Sequence, residues 1–277
     1  MSTNLIIQGA AEPADIHKLA GLSGAAGMDT LSATAWRLKF TKQREGVAEY
    51  CESAKLDHAF VPAGRKLADF GLVAMDMDST LITIECIDEI AALMGVGDRV
   101  AEITASAMRG EIEFQESLLQ RVALLAGLKE TELQRVYDQR LKLSPGAEVM
   151  LERLKALGIR TLLVSGGFSF FTDRLQRRLG LDYTLANTFE IENGKLTGRL
   201  YGAIIGARAK ADELVRCARE LGLSRDRMIA IGDGANDLPM LAAAGVSIAY
   251  HAKPAVREKA TYRLDHVGLD GLLNLFS

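Results

Sequence analysis

Short apolar runs recur along the chain from residue 70 onward, and several of them end in small, hydroxyl-bearing or acidic residues. Such runs predict buried strands, and longer stretches with helical periodicity separate them. The strands are predicted at 70–75, 160–164, 183–186, 228–231 and 246–249, and the helices at 147–157, 168–179, 210–221 and 238–244. Because strands that alternate with helices form parallel sheets, the pattern predicts an α/β core of the Rossmann type.

The residues between the first of these strands and Pro145 contain no strand-like run. They show helical periodicity in four segments, at 85–94, 98–109, 113–126 and 130–140. We therefore predict a helical cap at about 84–142, inserted into a core domain that spans 69–277.

Asn193 and Gly194 stand between flanks that alternate apolar and polar residues over 189–200. An Asn-Gly pair in that setting is typical of a two-residue hairpin turn. The segment therefore predicts an antiparallel hairpin in the edge region of the sheet.

The beginning of the chain follows a different pattern. Strand-like runs at 4–8, 33–40 and 58–61 are separated by helical stretches at 14–22 and 44–53. These elements predict a small α+β module over 1–68. Its role is open between ligand-dependent regulation, structural packing and dimerisation, and the last of these would make the protein a homodimer.

Asp76 and Asp78 directly follow the strand predicted at 70–75. Open α/β folds bind ligands at the carboxyl edge of the sheet, where these two side chains are expected. One carboxylate there can attack phosphorus while its neighbour transfers protons. The alternative is that the pair caps the following helix, and the motif alone does not decide between the two.

A second acidic cluster, Asp233 to Asp237, follows the strand predicted at 228–231. Mg²⁺ prefers oxygen ligands and keeps several waters, so Asp76, Asp233 and a backbone carbonyl are sufficient to hold it. Asn236 and Asp237 could orient those ligands. A calcium loop or a simple turn is the alternative, but the acid ladder and closing glutamate of an EF-hand are missing. Mg²⁺ is therefore the predicted cofactor.

Two further segments suit a phosphate. Ser165 and Gly166 begin a Ser-Gly-Gly turn between a predicted strand and a predicted helix, where a hydroxyl and backbone N–H groups favour an anion. An ordinary helix N-cap with glycines for a tight turn would use the same residue types. Lys210 opens another predicted helix, and a lysine there either is solvated or neutralises a phosphoryl group.

In this order along the chain, the acid pair, the serine, the lysine and the second acid cluster resemble the four signature segments of the haloacid dehalogenase (HAD) superfamily of phosphotransferases. The resemblance implies a HAD-like fold with an inserted cap, and it covers roughly Leu72 to the C-terminus. Four segments are similar to those of superfamily members that hydrolyse O-phosphoserine, namely 76–81, 85–91, 164–168 and 232–237.

The resemblance also implies the catalytic roles. Asp76 matches the nucleophile that becomes an aspartyl phosphate, and Asp78 matches the general acid and base. Asp233 matches the Mg²⁺ ligand beside Asp76 and the Asp78 carbonyl. The remaining matches on the core domain are Ser165, Gly166 and Lys210 for the phosphate, Asn236 for a further substrate contact, and Asp237 behind the metal.

The resemblance also implies that the cap binds the amino-acid part of the substrate. Glu85 matches the partner of the substrate ammonium, and Arg121 matches a guanidinium that grips the carboxylate. Met108 and Phe114 match apolar neighbours. Without the resemblance, Met108 and Phe114 would be interpreted as core residues and Arg121 as a surface residue with a packed stem.

Composition and charge limit the partners. The 277 residues carry a formal charge of −3 with acids and bases interspersed, which predicts no nucleic-acid binding. No apolar run approaches the roughly 20 residues that span a membrane. Cys51, Cys86 and Cys217 have no metal-binding or redox spacing, and the N-terminus lacks a secretory signal, so we predict a cytoplasmic protein.

Two other functions stay open on the sequence alone. One is a phosphatase or phosphotransferase of the same superfamily that acts on another small phosphomonoester. The other is a non-catalytic phosphate-binding regulator. A receiver domain also presents strand-end acids and a lysine, but it would need neither a second acid at Asp78 nor a helical cap.

Overall fold

The structure is a computed structural model and describes residues 2–276. Its first part is a four-stranded antiparallel sheet of order β2-β3-β1-β4, with two helices against one face. The elements are β1 (Thr3–Gln8), α1 (Pro13–Ser23), β2 (Gly27–Ser32), β3 (Ala35–Thr41), α2 (Val47–Ser53) and β4 (Asp57–Pro62). Strand β2 is missing from the sequence prediction because it is an exposed edge strand without an apolar run.

The second part is a seven-stranded sheet of order β11-β10-β9-β5-β6-β7-β8, where β5 (Leu72–Met75) is central. All neighbouring pairs in it are parallel except β7 with β8. The predicted α/β core is therefore confirmed. Its other elements are α7 (Ala147–Ala156), β6 (Arg160–Phe168), α8 (Ser169–Leu179), β7 (Tyr183–Glu192), β8 (Lys195–Tyr201), α9 (Ala207–Glu220), β9 (Met228–Gly232), α10 (Leu238–Ala243), β10 (Val246–Tyr250), α11 (Pro254–Arg257), β11 (Tyr262–Leu264) and α12 (Gly271–Leu275).

Four helices lie between β5 and α7, where the sequence predicts the cap. They are α3 (Cys86–Leu93), α4 (Gly97–Met108), α5 (Phe114–Ala123) and α6 (Glu130–Gln139). Their buried apolar side chains belong to the same cluster as those of the sheet's facing side, including Met75 and Phe168. None of the helices within 2–276 has the length and apolar character of a membrane span.

Two element boundaries differ from the prediction in ways that affect the site. Strand β6 continues to Phe168 instead of ending at Val164, because the Ser-Gly-Gly segment stays extended and shifts its register against β7. Helix α9 begins at Ala207, so Lys210 lies in the first turn of the helix and donates its backbone N–H to the Gly206 carbonyl at 3.1 Å. The apolar periodicity in the sequence starts later than the helix itself, so the predicted first helical residue, Lys210, is wrong.

The predicted hairpin is present. Asn193 and Gly194 have φ angles of 51° and 73°, the left-handed values that a two-residue hairpin turn requires at both positions. The turn joins β7 to β8, and β8 is the last strand of the large sheet. Strand β7 extends to Glu192, beyond the predicted end at 186, because its second half pairs with β8.

The second face of the small sheet packs on the large domain. Ile6, Ala59 and Val61 are buried in the same apolar cluster as Tyr262 and Phe276. A polar contact adds to this interface. The Asp57 carboxylate, which is 4% exposed, accepts backbone N–H bonds from three consecutive residues, Asp265, His266 and Val267, at 2.7, 2.8 and 3.0 Å.

We expect Asp57→Ala to destabilise the protein by about 3 kcal/mol, because three partly buried N–H groups lose a charged acceptor. Asp57→Asn should cost less, since one acceptor oxygen remains. Urea unfolding of each variant measures its free energy of unfolding. The matched control is Asp29→Ala on edge strand β2, whose carboxylate pairs with Lys39 at the surface and should contribute less than about 1 kcal/mol. Equal losses in Asp57→Ala and Asp29→Ala would contradict the interface role.

Candidate active site

The sheet brings the predicted polar segments to one edge. Strand β5 pairs with β6 on one side and with β9 on the other, and Met75 lies in register with Leu163 and Ile231. Asp76 follows β5 and Asp233 follows β9, so both carboxylates emerge at the carboxyl ends of adjacent parallel strands. Their proximity is thus a direct result of the strand order.

A tight turn after β5 orients the acid pair. Asp76 accepts a hydrogen bond from the Met77 backbone N–H at 2.7 Å, and Thr80 donates its hydroxyl hydrogen to Asp233 at 3.0 Å. Ser79 has a φ of 54°, an uncommon value for a residue other than glycine. Its Oγ donates to Glu85 Oε1 at 2.8 Å, which connects the turn to the start of the cap.

Lys210 lies in a buried ion cluster. Its side chain reaches Asp76 Oδ1 at 2.7 Å and Asp237 Oδ1 at 2.8 Å, and the residue is 0% exposed. Burial alone would lower the pKa of Lys210, but the two carboxylates outweigh it and raise the pKa above its ordinary value. Asp237 is fully committed, because its Oδ2 accepts the N–H groups of Asp233 and Gly234.

Asp78 has a different environment from Asp76. Its Oδ1 accepts the backbone N–H of Cys86 at 3.0 Å. Burial, followed by the nearby charge of Glu85, raises the pKa of Asp78 to about 7. A Cβ atom on Gly167 would come within 2.6 Å of Asp78 Oδ2, so this approach requires a glycine. A carboxyl group with such a pKa can both donate and accept a proton near neutral pH.

The Ser-Gly-Gly segment is held by an asparagine that the sequence analysis missed. Asn187 on β7 is 2% exposed and donates its Nδ2 hydrogen to the Gly166 carbonyl at 2.8 Å. Its Oδ1 accepts the backbone N–H of Ile205 at 2.8 Å. Ser165 Oγ accepts the Gly167 N–H at 2.8 Å. The segment is therefore fixed as an extension of β6 and does not form a helix N-cap.

A cavity of about 780 Å³ separates this edge of the sheet from the cap. Arg121 reaches it from α5, where its Nε donates to the Ser117 carbonyl at 3.3 Å, and Met108, which is 71% exposed, reaches it from α4. Ten of the twelve residues that the sequence analysis named line the cavity: Asp76, Asp78, Glu85, Met108, Phe114, Arg121, Ser165, Gly166, Asp233 and Asn236. The other two, Lys210 and Asp237, lie behind its wall.

The carboxylates fit a divalent cation. Ligand oxygens of Asp76, Asp233 and Asp237 lie within 4.8 Å of one another. Asp76 and Asp233 each keep an Oδ2 that accepts no hydrogen bond from residues 2–276, whereas both Asp237 oxygens are occupied. Burial, and then the charge of Asp237, raises the pKa of Asp233 to about 6, so the site favours added positive charge. Asp76 and Asp233 are therefore the two carboxylates of this group with an oxygen left for a cation.

Several cavity residues are absent from the sequence analysis. They include Lys253, which follows β10, and Asp88, which lies on α3. Burial raises the pKa of Asp88, and the positive charge of Arg121 opposes that rise. The sequence contains one indication that Lys253 belongs to the site, because this residue follows the carboxyl end of a predicted parallel strand. Asp88 lies one helical turn after Glu85, and its helix only faces the cavity once the cap has folded.

This geometry of a helical cap over strand-end carboxylates and a buried lysine defines a hydrolase of a known class. The model of the haloacid dehalogenase-like hydrolases matches residues 73–242, and the chain belongs to that family. The family predicted from the four segments is confirmed, and the family implies a divalent metal.

Within the family, phosphoserine phosphatases are among the most similar proteins. One from Albidiferax ferrireducens is 51% identical over 216 residues, which cover 76% of this chain and 91% of that protein. The crystal structure of a probable phosphoserine phosphatase from Vibrio cholerae superposes with a TM-score of 0.88 at 37% identity, covering 99% of this chain and 86% of that one. A HAD family hydrolase from Salmonella enterica serovar Typhi gives a TM-score of 0.90 at 34% identity, covering 99% and 98%.

Proposed function

We propose that this protein hydrolyses O-phosphoserine to serine and inorganic phosphate, the last step of serine biosynthesis. The observation that carries the proposal is the cavity's arrangement. Two strand-end carboxylates face a cap wall that presents one guanidinium, Arg121, and the carboxylates of Glu85 and Asp88. A phosphate monoester with an amino-acid group needs these three features in one cavity. The similarity to phosphoserine phosphatases supports the same substrate.

The reaction proceeds in two steps through Asp76. A carboxylate oxygen of Asp76 attacks phosphorus, the bond to the seryl oxygen breaks, and Asp78 gives that oxygen its proton. Asp78 then takes a proton from water, whose oxygen attacks the aspartyl phosphate and releases phosphate. The raised pKa of Asp78, about 7, supports this exchange of acid and base roles. The ammonium of Lys210, 2.7 Å from Asp76 Oδ1, neutralises charge during both steps.

The substrate's other groups are assigned to the remaining wall. Ser165, Gly166 and Asn236 contact the phosphoryl end, and Glu85 receives the ammonium. Arg121 binds the carboxylate. Burial lowers the pKa of Arg121, the charges of Asp88, Glu85 and Asp78 oppose that effect, and the guanidinium stays charged. The apolar side chains Met108 and Phe114 close the cavity around the serine carbon atoms.

The metal is assigned as Mg²⁺. The available ligands at Asp76 and Asp233 are oxygens, which suits a small hard cation that keeps its waters. The family resemblance implies the Asp78 carbonyl as a further oxygen ligand. When bound, the metal supplies positive charge to the phosphoryl oxygens.

A substrate comparison with a cap variant tests the proposal. We expect phosphate release from L-phosphoserine with Mg²⁺ to exceed release from phosphoethanolamine, which lacks the carboxylate, by about 100-fold in kcat/KM. Arg121→Met should remove most of that preference because the carboxylate loses its partner. Arg109→Met is the matched control, since Arg109 pairs with Glu111 at the cap surface and does not line the cavity.

Two outcomes would reject the assignment in different ways. Equal turnover of both compounds by the unchanged protein would leave a family phosphatase or phosphotransferase for another phosphomonoester. Absence of turnover across phosphoserine, phosphothreonine, phosphoethanolamine and sugar phosphates would favour a phosphate-binding regulator.

Two further assignments stay predictions. The three cysteines, Cys51, Cys86 and Cys217, are buried free thiols, which a reducing compartment permits, and we propose the cytoplasm as the location. The homodimer would be tested by sedimentation of the purified protein.

A further inference from the structure

Lys253 lies on the cavity wall without a role in the mechanism above. It stands directly before α11, and its backbone N–H donates to the Asp233 carbonyl at 3.1 Å. This bond and Pro254, which begins the helix, fix the backbone beside the metal ligand. The side chain is exposed to the cavity.

The Lys253 ammonium acts on two carboxylates of the cavity. Lys253 lines the same cavity as Glu85 and Asp233, and its charge opposes the burial that raises the pKa of Glu85. No salt bridge within 2–276 holds Lys253 to either group, so the ammonium has no fixed carboxylate partner. A lysine has a flexible four-carbon stem that can direct its charge to a new partner.

Lys253 differs from Lys210 in being available to a ligand. Lys210 is 0% exposed and bound to Asp76 and Asp237, whereas Lys253 is the one lysine that lines the cavity among the described residues. Charge balance makes this important. The cavity wall carries only two cations, Arg121 and Lys253, against five carboxylates, those of Asp76, Asp78, Glu85, Asp88 and Asp233. A phosphate dianion must nevertheless enter this cavity.

We propose that Lys253 binds the phosphoryl group of the substrate when the site fills. This inference rests on the proposed function. With a cation held at Asp233 and the substrate ammonium at Glu85, the charges of both neighbouring anions would be neutralised. The phosphoryl oxygens beside Asp233 are then the anion that remains within reach of Lys253.

Titration calorimetry of Lys253→Met tests the inference without turnover. With Mg²⁺ present, we expect inorganic phosphate to bind roughly tenfold more weakly than to the unchanged protein, because one charged contact is lost. Mg²⁺ alone should bind equally well or more tightly, because a neighbouring positive charge is removed. These opposite directions separate a phosphate contact from general damage to the site.

Three comparisons complete the test. Lys253→Arg should keep phosphate affinity within about threefold, since it preserves the charge. Lys259→Met removes an exposed lysine that does not line the cavity and should leave both affinities unchanged. In assays, Lys253→Met should raise KM for phosphoserine more than it lowers kcat.

The results separate the two claims. Unchanged phosphate affinity in Lys253→Met, or an equal loss in Lys259→Met, would overturn the role of Lys253. A protein that binds phosphate through Lys253 but does not hydrolyse phosphoserine would overturn the proposed function and keep the phosphate contact.

Discussion

Asp76→Asn is expected to reduce phosphate release from phosphoserine by about 10⁴-fold. The amide nitrogen of the new asparagine cannot replace the carboxylate oxygen that attacks phosphorus. Among the described residues that line the cavity, Asp76 is the one whose carboxylate is bonded to Lys210. The change is nearly isosteric, so the cavity keeps its shape. Release of phosphate, measured at saturating phosphoserine and Mg²⁺, gives the result.

The control for Asp76→Asn is Asp138→Asn, which makes the same substitution on surface helix α6, where the carboxylate accepts a hydrogen bond from Gln134. That variant should keep full activity. Because Asp76→Asn still leaves Lys210 paired with Asp237, the variant should remain folded, and circular dichroism checks this. Activity of Asp76→Asn close to that of Asp138→Asn would show that another group is the nucleophile.

Lys210→Met should lower the free energy of unfolding of the protein and remove most of its activity. It leaves Asp76 and Asp237 buried beside each other without their shared cation, and removing one partner of a buried ion pair costs about 3–5 kcal/mol. Urea unfolding near neutral pH measures the loss. Lys259→Met, at an exposed position, should change stability by less than about 0.5 kcal/mol.

A second substitution separates charge from packing in this cluster. If the loss comes from uncompensated charge, adding Asp237→Asn to Lys210→Met should restore part of the stability, because one buried anion disappears. Activity should stay low in the double variant, since the charge beside Asp76 is still missing. A double variant less stable than Lys210→Met would show that Asp237 acts mainly through its bonds to the Asp233 and Gly234 N–H groups.

The sequence predicts the centre of the fold better than its margins. Strands β5 and β9 are fully buried apolar runs, so composition alone identifies them, and the acids that follow them share one edge because the strands are neighbours. Strand β2 carries polar residues on both faces, and only its pairing with β3 makes it a strand. Such pairing is a tertiary effect that local pattern does not contain.

The same distinction applies to the site. Asp76, Asp78 and Asp233 were identifiable because each follows a strong strand signal. Lys210 was identifiable by its type, but its burial between two carboxylates depends on how α9 packs against the edge of the sheet. Lys253 lies near these groups only after β10 has joined β9, so its charge is brought to the cavity by topology rather than by a local motif.

The central claim is that the phosphoryl group passes through Asp76. The direct measurement is an acid quench of the enzyme during turnover of phosphoserine carrying a radioactive phosphorus label, followed by peptide mapping of the bound label. We predict label on the peptide that contains Asp76 and no label in Asp76→Asn. Phosphate release with the label on another residue, or with no labelled protein at any quench time, would contradict the account.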